Sequence, residues 1–233
     1  MNSSVIQLKQ YIKTTNNLFK IAWLIKNRRK INTLSKKILG RNNTINIPIP
    51  AIAENCSITI KGNNNSIDIG NFVELSNTKI YINGSNNRIH IADHVIFGTG
   101  GSLWIEDNYC LIDIGQRSTF EDANLAVTED GSRIIIGEDC MFAYDVDVRT
   151  GDSHSIIDKL TKTRINKASD VTIGNHVWVA AHCSILKGVT IGDNSVVAGR
   201  SVVTKPFSQT GIIIGGAPAK IIKENITWDR VRL

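Results

Sequence analysis

One histidine stands apart in this sequence. His154 lies in "DVRTGDSHSIIDKLTKTRINKASDV", residues 147–171, among small and charged residues, while the chain on both sides keeps a regular beat of aliphatic side chains. An imidazole, with an unperturbed pKa of about 6.5, can take a proton from a weak nucleophile such as a hydroxyl and return it to a leaving group. That chemistry needs a ring which two reactants can reach at once. A side chain packed into a regular wall cannot offer this, whereas a side chain on an excursion from the wall can. Asp152, Asp145 and Asp147 are the nearby carboxylates that could orient the ring, and a backbone carbonyl would serve as well. A lone histidine in a polar loop is also compatible with a plain surface position, so its meaning depends on what surrounds it.

The surroundings are a repeat. The segments "NNTINI", "NNSIDIG", "NNRIHIA", "YCLIDIG", "SRIIIGE" and "SDVTIGN" end their aliphatic runs at Ile47, Ile69, Ile91, Ile114, Ile136 and Ile173, in steps of 22, 22, 23, 22 and 37 residues. The last step is one ordinary repeat plus an insertion of about fifteen residues, and the insertion holds His154. Beyond it a finer period appears: Ile173, Val179, Ile185, Ile191, Val197 and Val203 recur every six residues. Val177, Cys183, Val189, Ser195, Ser201 and Phe207 stand four residues after each, and small residues such as Gly174, Ala180, Gly192 and Ala198 often follow the aliphatic one.

A helix would repeat every 3.6 residues and a simple strand every two. A period of six suits a short strand plus a corner, with the aliphatic side chain inward and a small residue at the bend. Three such faces close a coil of about eighteen residues, and stacked coils bury a continuous ladder that no single coil could bury alone. The interval of 22 fits a coil with one lengthened corner. Cys140 and Cys183 occupy small-residue places and read as core filler.

Bulk properties narrow the field. The chain has 233 residues, 42% hydrophobic and 21% charged, and its aromatic content of 6% is low for a sheet protein. No apolar run reaches the ~18–20 residues of a membrane-spanning helix, and the N-terminus lacks the pattern of a secretory signal. The four cysteines are far apart and form no CxxC pair, which points to a reducing, cytoplasmic setting. Ten of the 27 basic residues and none of the 21 acidic ones lie in residues 1–41, so the rest carries 17 basic against 21 acidic groups and the net +6 belongs to an arm. Val5, Leu8, Ile12, Phe19, Trp23, Ile31, Leu34 and Ile38 have the spacing of one helix face. The expectation is therefore an amphipathic helical arm over 1–41. Such an arm either packs on the body or a neighbouring subunit, or makes peripheral contact with a membrane surface or an anionic polysaccharide.

Residues 173–205, "IGNHVWVAAHCSILKGVTIGDNSVVAGRSVVTK", followed by "GGAPAKIIK" at 215–223, resemble the C-terminal half of the left-handed β-helix acyltransferases, the hexapeptide-repeat family. The resemblance covers 136–223, is weaker from 42 to 135, and leaves out the first 41 residues. "GDSHSIID" with Trp178 placed 24 residues after the histidine is similar to capsular polysaccharide O-acetyltransferases, including those that act on polysialic acid. The resemblance implies an all-β fold, a left-handed parallel β-helix over 42–223 with a catalytic loop at 149–170; the helical arm read from the spacing at 1–41 precedes it, and a tail at 224–233 follows. It implies acetyl-CoA as cosubstrate, a homotrimer with sites between subunits, and no metal.

Residue by residue, the resemblance makes His154 the catalytic base and places Trp178 at the acetyl and pantetheine site, with Ala180 beside it. Gly199, Ser201, Val202, Thr204 and Lys205 match the segment beside the coenzyme arm, and Lys220 and Lys223 match basic groups near its phosphates. Family members commonly carry Asn before the Pro-Ala pair; this chain has Ala217. Arg164, Asn166 and Asp152 are candidates to touch the acceptor, and Arg164 and Asn166 could equally hold the loop. The Trp178 indole N–H or a backbone N–H could stabilise the oxyanion. The expected reaction is acetyl transfer to a hydroxyl of a bacterial surface glycan, in the cytoplasm or at the inner membrane face, with no nucleic-acid partner.

Three alternatives belong beside this reading. One is N-acetylation of an amino sugar or a small acceptor such as an antibiotic. Another is a zinc-dependent carbonic anhydrase-like solenoid, which would need three convergent imidazoles. His176 and His182 occupy the same offset on successive faces and should point apart, and His90 and His94 lie several coils earlier. The third is a noncatalytic scaffold, which would not need His154, Trp178 and the basic tail motif together.

Overall fold

The computed structural model describes residues 33–232. The repeating aliphatics line up in space as they do in sequence. The strands Thr44–Asn46, Ser66–Ile69, Arg88–Ile91, Leu111–Ile114, Arg133–Ile136, Val171–Ile173 and Thr190–Ile191 form one seven-stranded sheet, parallel throughout. Ile69, Ile91, Ile114, Ile136, Ile173 and Ile191 face one another in register along it and are buried. This is a parallel β-solenoid, and the stacking supplies each coil with the apolar neighbours it lacks alone.

Beyond residue 140 two further ladders complete the coil. Met141–Phe142, Trp178–Val179, Val196–Val197 and Ile213–Gly216 build a second face. Val146–Arg149, Ser184–Ile185 and Val202–Val203 build a third. Upstream, the long strands Ile96–Glu106 and Thr119–Val127 bend from the second face onto the third and join both into one fifteen-stranded sheet. Inside the second face Phe97, Phe120 and Phe142 stack with ring centroids 4.4 and 4.6 Å apart, all buried. Buried aromatics of this kind dominate core energetics, each worth roughly 3–5 kcal/mol on truncation to alanine.

The two coil lengths differ mainly at one corner. From Ile185 on the third face to Ile191 on the first is six residues, whereas from Leu103 to Ile114 is eleven. The upstream third-face strands are longer, as at Cys56–Lys61 and Thr78–Asn83, and a wider turn follows them. Asparagines build that turn. Asn42, Asn64 and Asn86 sit at φ of 55–61°, where asparagine is among the few tolerated L-residues. Asn65 and Asn87 are buried one place on; Asn65 accepts from the Asn87 N–H at 3.0 Å and donates to the Gly84 carbonyl at 2.9 Å. Gly62, at φ 133°, must be glycine because a Cβ there would lie 1.9 Å from the Gly84 carbonyl oxygen.

One expectation is corrected. The helical pattern expected through residue 39 fails at its end. Leu34–Leu39 is a strand, parallel to Cys56–Lys61 with Leu34 opposite Cys56 and Ile38 opposite Ile60. "LSKKIL" satisfies both a four-residue and a two-residue apolar spacing, and pairing with the next coil selects the strand. The solenoid therefore begins before residue 42. The rest of the expected arm, residues 1–32, lies outside the described residues. At the other end Ala219–Lys223 turns back antiparallel on Ile213–Gly216, which breaks the parallel stacking. All four cysteines are buried and free.

Candidate active site

The excursion that holds His154 leaves the solenoid at the corner between the third and first faces, the same corner that is widened by asparagine turns upstream. Its base is pinned. The Thr150 N–H donates to the Ala126 carbonyl at 3.1 Å, and Ser169 donates to the Thr150 carbonyl at 2.9 Å. The Thr150 hydroxyl, fully buried, accepts from the Thr128 N–H at 3.0 Å. Farther out the loop folds on itself: Ile157 bridges Arg164 antiparallel, and the Asp158 carboxylate accepts from the Leu160 and Thr161 N–H groups at 2.9 and 2.7 Å.

Asn166 organises the middle of this loop and is 6% exposed. Its side-chain amide donates to the His154 carbonyl at 2.7 Å and to Asp152 Oδ2 at 2.8 Å. Its side-chain oxygen accepts from the Ile156 N–H at 2.7 Å and Arg164 Nε at 3.2 Å. Arg164 also pairs with Glu129 on the preceding coil, and Lys187 on the following coil pairs with Asp152 and donates to the Asn166 carbonyl at 3.2 Å. The hydrogen bond from Lys187, and after it the one from Asn166, holds the Asp152 carboxyl below the usual carboxylate range. Arg164, Asn166 and Asp152, expected as possible acceptor contacts, also hold the backbone around His154. Lys187 and Glu129 were missed in sequence because nothing marks them: one sits in an ordinary Lys-Gly turn, the other in a coil earlier in the chain.

The His154 side chain is exposed, and its ring makes no hydrogen bond among the described residues. The carboxylates considered as orienting groups are engaged elsewhere, Asp152 as above, Asp147 with Arg149 and Asp145 with His182 at 2.9 Å. His176 is held separately, stacked on Trp228 at 4.2 Å with its Nδ1 3.0 Å from Asn194 Oδ1.

Trp178 lies elsewhere on the coil. It stands on the second face next to the buried Val179, half-buried and pointing outward as strand alternation requires. The register runs from Trp178 to Val196, then Ile213, then Lys223. Lys223 is therefore three strand spacings from Trp178, about 14 Å. Ala180 and Gly199 border the same face, and Lys220 lies on the same terminal hairpin. A Cβ added to Gly199 would meet only ordinary contacts at 3.5 Å or more, so no packing within the chain demands glycine there. Val202 is half-buried, and Thr204 and Lys205 are exposed, with Lys205 over the Phe207 ring at 5.5 Å.

Ser201 departs from the expectation. It is fully buried, its hydroxyl donating to the Ala198 carbonyl and accepting from the Gly216 N–H at 3.2 Å. Its side chain shapes the corner and has no surface to offer a coenzyme. The tail also does more than expected. Trp228 donates its indole N–H to the His176 carbonyl at 2.7 Å and comes within 6.2 Å of the Trp178 ring centroid, and Arg230 reaches Asp139 at 3.1 Å.

Fold and loop together define an acyltransferase-type hexapeptide solenoid. Residues 170–205 match the family described as bacterial transferase hexapeptide (six repeats). The chain is similar to a solved structure of the polysialic acid O-acetyltransferase OatWY, with 37% identity and a TM-score of 0.80 over 87% of this chain and 93% of that one. It is 41% identical over 117 residues to the polysialic acid O-acetyltransferase of Escherichia coli O1:K1 / APEC, covering 50% of this chain and 38% of that protein. It is also 39% identical over 121 residues to the polysialic acid O-acetyltransferase of Neisseria meningitidis, covering 52% and 56%. The matched segments thus span about half or less of these curated relatives. The chain belongs to the hexapeptide-repeat acetyltransferases.

Proposed function

We propose that this protein transfers the acetyl group of acetyl-CoA to a hydroxyl of a glycan such as polysialic acid, with His154 as general base. The observation that carries the reading is the excursion from the solenoid wall, the one such loop among the described residues, whose buried Asn166 fixes the His154 backbone while the ring stays exposed and without a hydrogen bond among the described residues. His154 Nε2 or Nδ1 takes the acceptor hydroxyl proton as the hydroxyl oxygen bonds to the thioester carbonyl carbon. The tetrahedral intermediate collapses with cleavage of the C–S bond, and the imidazolium protonates the leaving thiolate. Trp178, Ala180, Gly199, Val202, Thr204, Lys205, Lys220 and Lys223 form the strip proposed to hold acetyl-CoA, with the lysines toward its phosphates.

His154 sits at the corner between third and first faces, and Trp178 lies on the second face across the coil. Bringing them together takes the loop of one chain and the face of another. The loop hairpin is built for such a contact: Leu160 is 92% exposed at its tip, flanked by Ile156 at 55% and Ile165 at 63%. We propose a homotrimer with left-handed coils and composite sites, and contact of the basic N-terminal segment within residues 1–41 with a membrane surface or an anionic polymer in the cytoplasm. The test is thiol release from acetyl-CoA over a panel containing polysialic acid, neutral glycans, amino sugars and chloramphenicol. Polysialic acid should give the fastest release, and His154→Ala should lower it by about 10²–10⁴-fold with unchanged circular dichroism. Full activity in His154→Ala, or release only with a small acceptor, would overturn the reading.

A further inference from the structure

The outer surface of the third face carries a feature that the catalytic loop does not use. Tyr81 and Trp104 stack with ring centroids 4.0 Å apart and planes 25° from parallel, and Trp104 remains 39% exposed. Two aromatic rings on an outer wall that elsewhere carries mostly polar and charged side chains are not part of the core, which lies on the other side of the sheet. Strand register fixes where they stand. The outward row runs Lys37, Thr59, Tyr81, Trp104, Ala126, Arg149, one residue per coil. Its last member, Arg149, is the first residue of the catalytic loop. Trp104 is two coils from Arg149, about 10 Å.

A groove follows this row. Around the aromatic pair it is lined by Ser57, Thr59, Lys79 and Asp122. It continues past Ser102, Trp104 and Asn124 to Arg149 and Ser153, the residue before His154. Hydroxyl, amide and charged groups of both signs surround one aromatic platform. The core of a protein–protein interface is depleted in charge, so this lining suits a ligand with an apolar face and a rim of hydroxyls. A sugar ring has that shape, its C–H face meeting an aromatic ring and its hydroxyls meeting Ser, Asn and Lys.

We propose that Tyr81 and Trp104 form an acceptor subsite that binds a saccharide unit remote from the reacting one, so that the glycan lies along the third face with its reacting hydroxyl at His154. The proposal rests on the acetyl-transfer reading above and adds to it a site that selects for chain length. A separation of two coils is reached by an oligosaccharide and not by a monosaccharide. The remote contact therefore lowers KM for long acceptors only and leaves untouched the acetyl-CoA strip, which begins about three coils further along the solenoid.

The experiment uses the full chain and its Trp104→Ala and Trp104→Phe variants. Acceptors are sialic acid monomer, graded sialic acid oligomers and polysialic acid, read by thiol release and by tryptophan fluorescence in the absence of acetyl-CoA. Trp104→Ala should raise KM for the long acceptors by roughly tenfold, the upper end of one aromatic stack. KM for acetyl-CoA and turnover on the monomer should not change. Trp104→Phe, which keeps a ring, should restore most of the loss, and polymer should quench wild-type fluorescence more than that of Trp104→Ala. Equal KM for long and short acceptors in wild type and Trp104→Ala would overturn the subsite while leaving the transfer reading intact. A change of oligomeric state in Trp104→Ala, by light scattering, would instead make the pair a contact between copies and overturn it. Fluorescence quenching without any thiol release would leave the subsite standing and remove the transfer reading; neither signal in wild type would remove both.

Discussion

The side-chain amide of Asn166 donates to the backbone carbonyl of His154 at 2.7 Å, across twelve residues of loop. The same amide grips Asp152 at 2.8 Å, and the residue is 6% exposed. A loop that must leave the wall to expose an imidazole thus carries a small buried polar hub that limits how far the imidazole can wander. Removing the hub should affect chemistry more than folding. Asn166→Ala leaves the Ile156 N–H without its acceptor and frees the His154 backbone, a displacement that near the reacting atoms costs on the order of 10²-fold in kcat. KM for acetyl-CoA should stay within error of wild type, since no hydrogen bond of Asn166 reaches a residue of the coenzyme strip. A parallel rise in that KM would mean that Asn166 touches substrate rather than positioning His154.

The ion pair between Lys187 and Asp152 ties the loop to the coil above and makes its closure sensitive to acid. The Asp152 carboxyl is depressed, first by the Lys187 hydrogen bond and then by Asn166. A depressed carboxylate contributes stability that is present above its unfolded value of about 3.9 and is lost as pH falls through its folded value. Protection factors of the loop amides, which correct for the intrinsic pH dependence of exchange, should be level through neutral pH and fall only below about pH 4. Asp152→Asn should exchange faster at neutral pH and lose the acid step. Because the Asp152 side chain is 42% exposed, the global melting temperature should barely move.

Burial decides the behaviour of the thiols. It pushes Cys110 and Cys140 up to about 11 and raises Cys56 and Cys183 as well. Thiolate is the reactive form, so the native protein at pH 8 should react with Ellman's reagent slowly or not at all, and four equivalents should appear on denaturation. Fast native labelling of any of them would contradict the packing described for the wall.

Leu160 separates assembly from folding. A residue 92% exposed contributes within about 0.5 kcal/mol to the single chain, so Leu160→Glu should leave circular dichroism and unfolding midpoints unchanged. If the loop tip seats on a second copy, the same change should shift light scattering toward monomer. It should also abolish thiol release, because His154 and Trp178 of one chain stand on different faces. An active, fully assembled Leu160→Glu protein would place the interface elsewhere.

The solenoid and its one interruption were legible in the order of residues because every coil offers its aliphatics the same surroundings. The six-residue spacing from Ile173 to Val203 repeats the geometry of a face and a corner, and the 37-residue step marks where that geometry is interrupted. His154 could be found in this way with no structure. What pairing decides could not be. Leu34–Leu39 carries a spacing that serves a helix or a strand, and only the neighbouring Cys56–Lys61 makes it a strand. Ser201 shares the inward offset of Cys183, and only the structure shows that the turn at Gly216 supplies a partner for its hydroxyl. Arg164 and Asn166 read equally as acceptor contacts or as loop supports, and it took Glu129 and Lys187, from coils on either side, to tie Arg164 and Asp152 to the wall. Periodic burial is a local property that is written once per coil, whereas the direction of a polar side chain depends on which charges a distant part of the chain brings beside it.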